Sequence, residues 1–254
     1  MKLALKSISK TFYDSIPPLK VIDNFDLEVK GKERISIFGP NGCGKSTLFN
    51  IIAGFEQATE GTVLFDNGRK SRGQIKIGFI FQDHRNSILP WRTVLKNVEL
   101  GLEFQEVDGN KRKKIAQHYL KKTGLLDFQN LYPYQLSGGM TQLIAFARTL
   151  AHQSDLLLFD EPFNSLDYKM YLNILDGLQS LWLKNRKTTI LITHNLDEAI
   201  FWSERVIILS PRPSRIVGDV RIGFPSSRKR NLLHSQNFMR IRNQILKICS
   251  KNIR

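Results

Sequence analysis

The segment GPNGCGKS at residues 39–46 has the composition of a phosphate-binding loop, because it matches G-x-x-x-x-G-K-[ST] between a predicted strand and a predicted helix. Glycines let the backbone curl so that successive N–H groups face phosphate oxygens, and the helix N-terminus adds partial positive charge. Lys45 is placed to reach the β- and γ-phosphates, Ser46 to bind Mg²⁺ and Thr47 to contact the α-phosphate. We therefore predict a nucleotide site made of Gly39, Pro40, Asn41, Gly42, Cys43, Gly44, Lys45, Ser46 and Thr47.

Cys43 lies inside this loop, among backbone amides and near Lys45. Such surroundings favour a thiolate, so the sequence predicts a lowered thiol pKa. It also predicts that alkylation of Cys43 blocks ATP binding and that ATP protects the thiol.

Two carboxylates follow a short apolar run, where Asp160 and Glu161 come after the four residues Leu156 to Phe159. Carboxylates at the end of a buried strand suit metal and water chemistry. Asp160 would hold the Mg²⁺ shell and Glu161 would act as general base on the attacking water. The alternative is a helix N-cap, with Pro162 at the first helical position.

Two further predicted strands end in polar residues. The segment KIGFIFQ ends at Gln82, and the segment TTILITH ends at His194. His194 is placed to donate a hydrogen bond to a γ-phosphate, although a lone histidine is more often structural. Gln82 is placed to reach Mg²⁺ and water, or is simply a turn residue.

A second glycine turn occurs in LSGGM, about ninety residues after the first loop. Ser137, Gly138 and Gly139 precede an apolar-periodic segment, which predicts a helix whose N-terminus suits a phosphate. One ATPase domain holds one nucleotide, so this second turn needs a separate explanation.

The elements that must position these residues alternate between strand and helix, which is typical of an α/β fold with a largely parallel sheet covered on both faces. The first ~35 residues read as strands with a turn at Ser15–Pro18. Residues 205–210 are predicted to form the last core strand, and the stretch from about 83 to 152 an inserted helical subdomain. Predicted strands are 34–39, 61–68, 76–82, 155–162 and 188–194, and predicted helices are 45–54, 93–102 and 111–124.

The composition indicates a globular protein with a basic tail. The chain has 254 residues, 41% hydrophobic content and a net charge of +15. Residues 211–254 carry most of that charge, with 11 Lys and Arg against one acid, Asp219. No stretch approaches the roughly 20 apolar residues of a membrane span, no secretory signal is evident, and two cysteines fit a reducing compartment. We predict an ATPase domain at 1–210 and a basic extension at 211–254, which suits a membrane surface or partner better than specific nucleic-acid binding.

In combination, these motifs resemble the ATP-binding subunit of ABC transporters over nearly all of residues 1–220. The family landmarks occur in order: GPNGCGKST, Gln82, LSGGM, LLLFDEP, SLD at 165–167 and His194. The resemblance implies a P-loop NTPase of ABC type, with an inserted helical subdomain and an N-terminal antiparallel β subdomain. It implies ATP and Mg²⁺ as cofactors.

Roles for individual residues follow from the same resemblance. Glu161, His194, Gln82 and Lys45 would be catalytic, and Ser46, Gln82 and Asp160 would serve the metal. Phe12 would stack on adenine, with Tyr13 as the alternative, and Asp167 would lie at the nucleotide. Ser137, Gly138 and Gly139 would contact the γ-phosphate held by a second ATPase subunit, expected to be another copy, in a head-to-tail dimer.

A narrower resemblance, to the nitrate, sulfonate and taurine importers, is carried by four segments: ILPWRTVLKNVELGLE (88–103), DEPFNSLD (160–167), THNLDEAI (193–200) and SPRPSRI (210–216). It implies a peripheral subunit on the cytoplasmic face of the cell membrane. Its partners would be transmembrane permease subunits, touched near Pro90–Val98, and indirectly a periplasmic or lipid-anchored solute-binding protein. The solute would be small and often anionic.

Three departures from the family pattern occur. Thr141 and Leu143 stand where arginines are usual, Asn195 replaces an aspartate, and FPSSRKR (224–230) lacks a second proline-arginine pair. The first two bear on how the helical insert packs.

Two other functions remain open on the sequence. A soluble ABC-type ATPase acting on DNA or ribosomes is favoured only by the basic tail, since no long coiled coil or second domain is present. An exporter ATPase is disfavoured only by the importer-like segments.

Overall fold

The protein is described from a computed structural model that covers residues 1–83, 87–164 and 168–252. Its strands are β1 Leu3–Phe12, β2 Leu19–Val29, β3 Arg34–Phe38, β4 Glu60–Phe65, β5 Ile77–Ile80, β6 Leu156–Asp160, β7 Thr188–Thr193, β8 Arg205–Leu209 and β9 Ile216–Arg221. Its α-helices are α1 Lys45–Ala53, α2 Val94–Glu103, α3 Gly109–Lys122, α4 Gly138–Ala151, α5 Tyr168–Asn185, α6 Leu196–Trp202 and α7 Gln236–Asn252.

Two sheets organise the chain. A three-stranded antiparallel sheet has the order β2-β1-β4, and a six-stranded sheet has the order β5-β6-β7-β3-β8-β9. All pairs of the larger sheet are parallel except β8 with β9. The predicted α/β fold class, with its antiparallel β subdomain, is confirmed.

The larger sheet is buried on both faces, because successive side chains of its strands enter two different apolar clusters. In β6, Leu156 and Leu158 face the cluster shared with the small sheet and α1. Leu157 and Phe159 face the cluster shared with the later helices. A near-continuous apolar run is typical of such doubly covered parallel strands, and the polar residue that ends the run emerges at the carboxyl edge, where α/β folds bind ligands.

The helical insert consists of α2, α3 and α4, which follow β5 and precede β6 in the chain. The three helices pack on one another. Buried Leu102, Leu120 and Ile144 form its centre. Asn97, fully buried, holds the segment before α2, since its side-chain amide donates to the carbonyls of Leu89, Arg92 and Thr93 at 3.0–3.1 Å. This insert presents the helix that follows the second glycine turn.

The C-terminal segment packs onto the core, and one sequence prediction is wrong here. Residues 205–210 are not the last strand, because β9 adds to the sheet antiparallel to β8. Arg228 then enters the interior and donates to the carbonyls of Ile200 and Phe201, each at 2.7 Å. From α7, Phe238 and Ile245 join the main apolar cluster. The sequence missed β9 because Gly218 and Asp219 interrupt its apolar pattern.

Candidate functional site

The loop between β3 and α1 has a backbone that requires glycine. Gly42 and Gly44 have φ of 74° and 112°, and Gly44 is the N-cap of α1. A Cβ on Gly44 would lie 2.6 Å from Val21 Cγ1, so no other residue fits at this point. The loop and the first turn of α1 therefore form the anion-binding geometry that the motif predicts.

Lys45 is 6% exposed and lies within this loop. Its ammonium donates to the carbonyls of Gly39 and Pro40 at 2.9 and 2.8 Å. The cation is thus largely removed from water and adjacent to the N-terminus of α1, where it can interact strongly with an anionic ligand.

Asp160, at the carboxyl end of β6, is buried beside Ser46. Burial raises the pKa of Asp160, while a hydrogen bond from Ser46 opposes this effect. Its Oδ1 has no hydrogen-bond partner among the described residues, although the atom is inaccessible to solvent. Oxygen ligands and an unpaired buried carboxylate oxygen fit a hard divalent cation such as Mg²⁺.

The structure brings together three strand-end residues that the sequence could only treat separately. Glu161 Oε2 lies 3.3 Å from Gln82 Nε2 and 3.3 Å from His194 Nδ1. The side-chain amide of Asn164 also donates to this oxygen. The sequence missed Asn164, whose only signal was its position three residues after Glu161.

The backbone of Glu161 has a φ of 47°, which is unusual for a non-glycine residue. Its N–H donates to the carbonyl of Ile192 at 2.9 Å, which ties the end of β6 to β7. This turn directs the carboxylate toward Gln82 and His194, rather than leaving Glu161 as the helix cap considered as the alternative.

A cleft of about 340 Å³ connects these groups with the small sheet. Its lining includes the loop glycines, Lys45 and Glu161, and also Phe12 at the end of β1. The Lys10 ammonium lies 4.7 Å from the centre of the Phe12 ring. Tyr13, the alternative to Phe12, is 68% exposed. The cleft therefore has an apolar end suited to a base and a cationic end suited to phosphates.

Arg212 is a cleft residue that the sequence did not single out as a ligand. Its guanidinium donates to the Gly42 carbonyl and lines the cleft. The segment that carries it is held by Ser214, whose N–H donates to the Val21 carbonyl at 2.9 Å, and by the ion pair of Arg215 with Asp23. The SPRPSRI segment thus delivers a cation to the phosphate loop.

The structure contradicts the predicted lowered pKa of Cys43. The side chain is 1% exposed and lies beneath the loop, where its Sγ would be 3.2 Å from a Cβ added to Gly39. Burial raises the pKa of the Cys43 thiol, and this effect exceeds the opposing charge of Lys45. Position within the loop sequence did not reveal that the side chain points inward.

The second glycine turn is not part of the described lining of the phosphate-loop cleft. Ser137 is the N-cap of α4, and its Oγ accepts a hydrogen bond from the Met140 N–H at 3.3 Å. Gly138 and Gly139 open the helix, so their N–H groups have no partner in a preceding turn. Among the described residues that line the phosphate-loop cleft, none of Ser137, Gly138 and Gly139 occurs. Asp167, a further predicted nucleotide contact, lies outside the described residues.

The departures from the family pattern are accommodated locally. Thr141 donates to the Ser137 carbonyl at 3.0 Å, and Leu143 is buried in the apolar cluster. Between them, Gln142 donates to the carbonyl of Pro162, the residue after Glu161, and so links α4 to the strand-end acids. Asn195 caps α6 by accepting from the N–H groups of two following residues.

Comparison with known proteins identifies the family of the chain. Residues 22–164 match the family described as ABC transporter, and the chain belongs to this family as an ATP-binding subunit with ATPase activity. The uncharacterized ABC transporter ATP-binding protein MJ0412 of Methanocaldococcus jannaschii is 41% identical over 254 residues, which are 100% of this chain and 93% of that protein.

The aliphatic sulfonates import ATP-binding protein SsuB of Bacillus cereus is 34% identical over 246 residues, covering 97% of this chain and 95% of that protein. Among solved structures, the dimeric bacterial ABC transporter cassette MJ0796 superposes with a TM-score of 0.78 at 35% identity. The alignment covers 87% of this chain and 100% of that one. A post-hydrolysis state of the same cassette, bound to ADP and Pi, gives a TM-score of 0.77. In the described parts of the present chain, every helix is too short or too polar to cross a bilayer.

Proposed function

We propose that this ATPase powers an importer of a small, sulfonate-like anion, through a dimer that closes on ATP. One observation carries the proposal of a dimer: Ser137, Gly138 and Gly139 are absent from the described lining of the cleft that holds Lys45 and Glu161. A helix N-terminus that begins with two glycines suits a phosphate, and a second copy would supply that phosphate. The dimeric state of the related cassette supports this arrangement.

In the proposed reaction, the loop N–H groups and Lys45 bind the β- and γ-phosphates and stabilise negative charge as the γ-phosphoryl group departs. Mg²⁺, when bound by Ser46, Asp160 and Gln82, would neutralise phosphate charge. Glu161 orients the attacking water and accepts its proton, while His194 donates a hydrogen bond to the γ-phosphate. The contact of Gln82 and His194 with Glu161 Oε2 keeps the carboxylate at the reacting end of the cleft.

The helical insert carries the surface proposed for the permease. A cleft of about 480 Å³ is lined by Pro90, which precedes α2, by Tyr134, which lies between α3 and α4, and by Gly138 at the start of α4. Tyr134 in the lining is 74% exposed, and Trp91, the residue after Pro90, is 72% exposed. Exposed aromatic residues around a concave surface favour a helix of a membrane subunit as the partner, which would hold the ATPase at the cytoplasmic face of the membrane.

The solute class rests on the sulfonate-import protein that covers nearly the whole chain. A solute-binding protein would deliver the anion to the permease from outside the cell. Uptake of an aliphatic sulfonate by vesicles that contain this chain with its permease tests the solute class, and uptake of an uncharged analogue at an equal rate would contradict it.

Glu161→Gln tests the ATPase mechanism and the dimer together. The variant should bind ATP, lose hydrolysis by about 100-fold or more because the general base is removed, and form an ATP-dependent dimer in size-exclusion chromatography. Glu60→Gln, at an exposed position on β4, is the control and should behave as the wild type. A Glu161→Gln variant that stays monomeric with ATP would refute dimer closure, and one that hydrolyses normally would refute the base assignment.

A further inference from the structure

A second cavity, of about 300 Å³, lies between the helical insert and the six-stranded sheet. Tyr119 of α3 and Leu150 of α4 line it from the insert, and Phe159 of β6 lines it from the sheet. Trp182 of α5 and Trp202 of α6 complete an aromatic wall. Its described lining shares no residue with that of the ATP cleft. The volume is at the lower end of about 300–1,000 Å³ for small-molecule pockets, so it suits a compact ligand.

A buried positive charge lies against this wall. Arg34 is fully buried, and its guanidinium carbon lies 4.0 Å from the centre of the Trp182 ring and 5.1 Å from that of Trp202. One nitrogen donates to the Ser226 carbonyl at 3.0 Å, while Nε and Nη1 have no partner among the described residues. Burial lowers the pKa of Arg34 to about 10 against the opposing charge of Glu204.

The charge of Glu204 raises the pKa of Arg34, but in the described contacts the Glu204 carboxylate does not pair with the Arg34 guanidinium. Glu204 instead accepts from the backbone N–H of Arg34 at 3.2 Å and from the Ser226 hydroxyl at 3.3 Å. Arg228 is also buried, and its charge repels that of Arg34. This region therefore has two buried guanidinium groups around one carboxylate and an excess of positive charge that an anion would offset.

The cavity wall itself offers polar groups to a ligand. Trp202 is 3% exposed, and its indole N–H has no partner among the described residues. A buried indole N–H normally has one. Lys187 is half-buried and also lines the cavity. An aromatic enclosure with an unpaired donor and nearby cations fits a small organic anion with an apolar body.

A ligand in this cavity would contact both elements that act on ATP. Leu157 and Phe159 are on β6, the strand that ends in Asp160 and Glu161. Leu150 is on α4, the helix that begins at the second glycine turn. A ligand that binds differently when these elements shift would change the rate of turnover.

We propose that this cavity is a regulatory site that binds a small organic carboxylate or sulfonate with an apolar body, and that its occupancy changes ATP turnover. The proposal concerns the ATPase activity and does not depend on the identity of the transported solute.

Calorimetric titration of the full chain with benzenesulfonate tests the site, with the neutral benzenesulfonamide as a matched probe. Benzenesulfonate should bind at least about tenfold more tightly, because it alone offers a charge to the cations and to Trp202. Trp202→Phe, which keeps an aromatic ring but removes the N–H, should weaken benzenesulfonate binding about tenfold. The ATPase rate at saturating benzenesulfonate should differ at least twofold from the rate without it.

Two lysines provide a matched pair that avoids the buried arginine. Lys187→Met should weaken benzenesulfonate binding, whereas Lys184→Met, at an exposed position outside the cavity, should not. Leu150→Trp fills the cavity from its partly exposed side and should abolish both binding and the change in rate. The ATPase rate of each variant without benzenesulfonate shows separately whether its ATP site still works. Equal binding of the two probes, unaltered binding in Leu150→Trp, or binding with no change in turnover would overturn the proposal.

Discussion

The chemistry of the ATP site depends on a few atoms that converge from distant parts of the chain. Glu161 Oε2 is contacted by side chains from the ends of β5 and β7 and from the loop after β6. Asp160, the preceding residue, points instead to Ser46. Two adjacent carboxylates thus point in different directions at the strand end and have different neighbours, which is the basis for the separate roles proposed for them.

Cys43 should react slowly with N-ethylmaleimide in the folded protein. The thiol is buried and its pKa is raised, so at neutral pH it is protonated and shielded. Mass spectrometry of timed samples should show Cys249, which is partly exposed, modified before Cys43, with Cys43 labelled rapidly only in denaturant. Fast labelling of native Cys43 that ATP prevents would restore the prediction made from the sequence.

Arg212→Ala should weaken ATP binding about tenfold or more, because a cation beside the phosphate loop and a charge-assisted hydrogen bond to Gly42 are both lost. Arg212→Lys keeps the charge and should restore part of the affinity. Equilibrium binding of a fluorescent ATP analogue measures the effect, and Arg240→Ala, at an exposed position of α7, is the control. Equal affinity for the ATP analogue in the wild type and all of these variants would show that Arg212 does not contribute to ATP binding.

The elements around the site are held by capping and by buried polar contacts as well as by apolar packing. The short helix α6 is capped by Asn195, whose side chain accepts hydrogen bonds from the Asp197 and Glu198 N–H groups. The Glu198 carboxylate accepts a hydrogen bond at 2.6 Å from the hydroxyl of Thr193, the residue before His194. The departure from the usual aspartate therefore preserves the cap, since asparagine caps as well as aspartate does.

Glu198→Gln should make the stability of the protein less dependent on pH. Burial raises the pKa of Glu198 in the folded state above its ordinary value of 4.5, so folding favours the protonated form. The contribution of the Glu198 carboxyl group to the free energy of unfolding is fully present below its unfolded-state pKa. This contribution is lost as the pH rises through its folded-state pKa.

Urea unfolding at several pH values measures this effect. The stability of Glu198→Gln relative to the wild type should be greater at pH 7 than at about pH 4.5, the ordinary pKa of the carboxyl group. Asp197→Asn, which removes an exposed carboxylate paired with Arg242, should show no such gain. A pH-independent advantage would mean that ionisation of Glu198 is not the cause.

The basic C-terminal segment is part of the folded body rather than a free tail. Arg228 is buried, and Arg215, Arg230 and Arg242 pair with acids of the preceding domain. Arg212 lies in the nucleotide cleft. Three cations of this segment therefore have acidic partners in the core and a fourth is buried, so these four are not free to contact a nucleic acid.

Ile245→Ala should lower the free energy of unfolding by about 2–5 kcal/mol, because a fully buried side chain would be replaced by a cavity. The next residue provides the control: Leu246 is 40% exposed, and Leu246→Ala should cost less than about 1 kcal/mol. Urea denaturation followed by circular dichroism measures both. Equal, small effects would show that α7 does not pack on the core in solution.

Local patterns in the amino-acid sequence were sufficient for the phosphate loop, the strand-end acids and the alternating elements. The glycines at 42 and 44, Lys45, and the apolar run before Asp160 are short-range features, and backbone stereochemistry and burial determine their form wherever they occur. The resemblance to the ABC family rested on these same motifs and was confirmed by the comparisons.

Tertiary structure alone decided which distant groups meet and which way side chains point. Gln82, Asn164 and His194 converge on Glu161 because three strand ends lie at one edge of the sheet. Cys43 is buried because its side chain faces the interior, and Arg212 reaches the phosphate loop because its segment pairs with β2. These contacts join residues far apart in the chain, and they form only when packing selects one arrangement of the elements, so no local pattern encodes them.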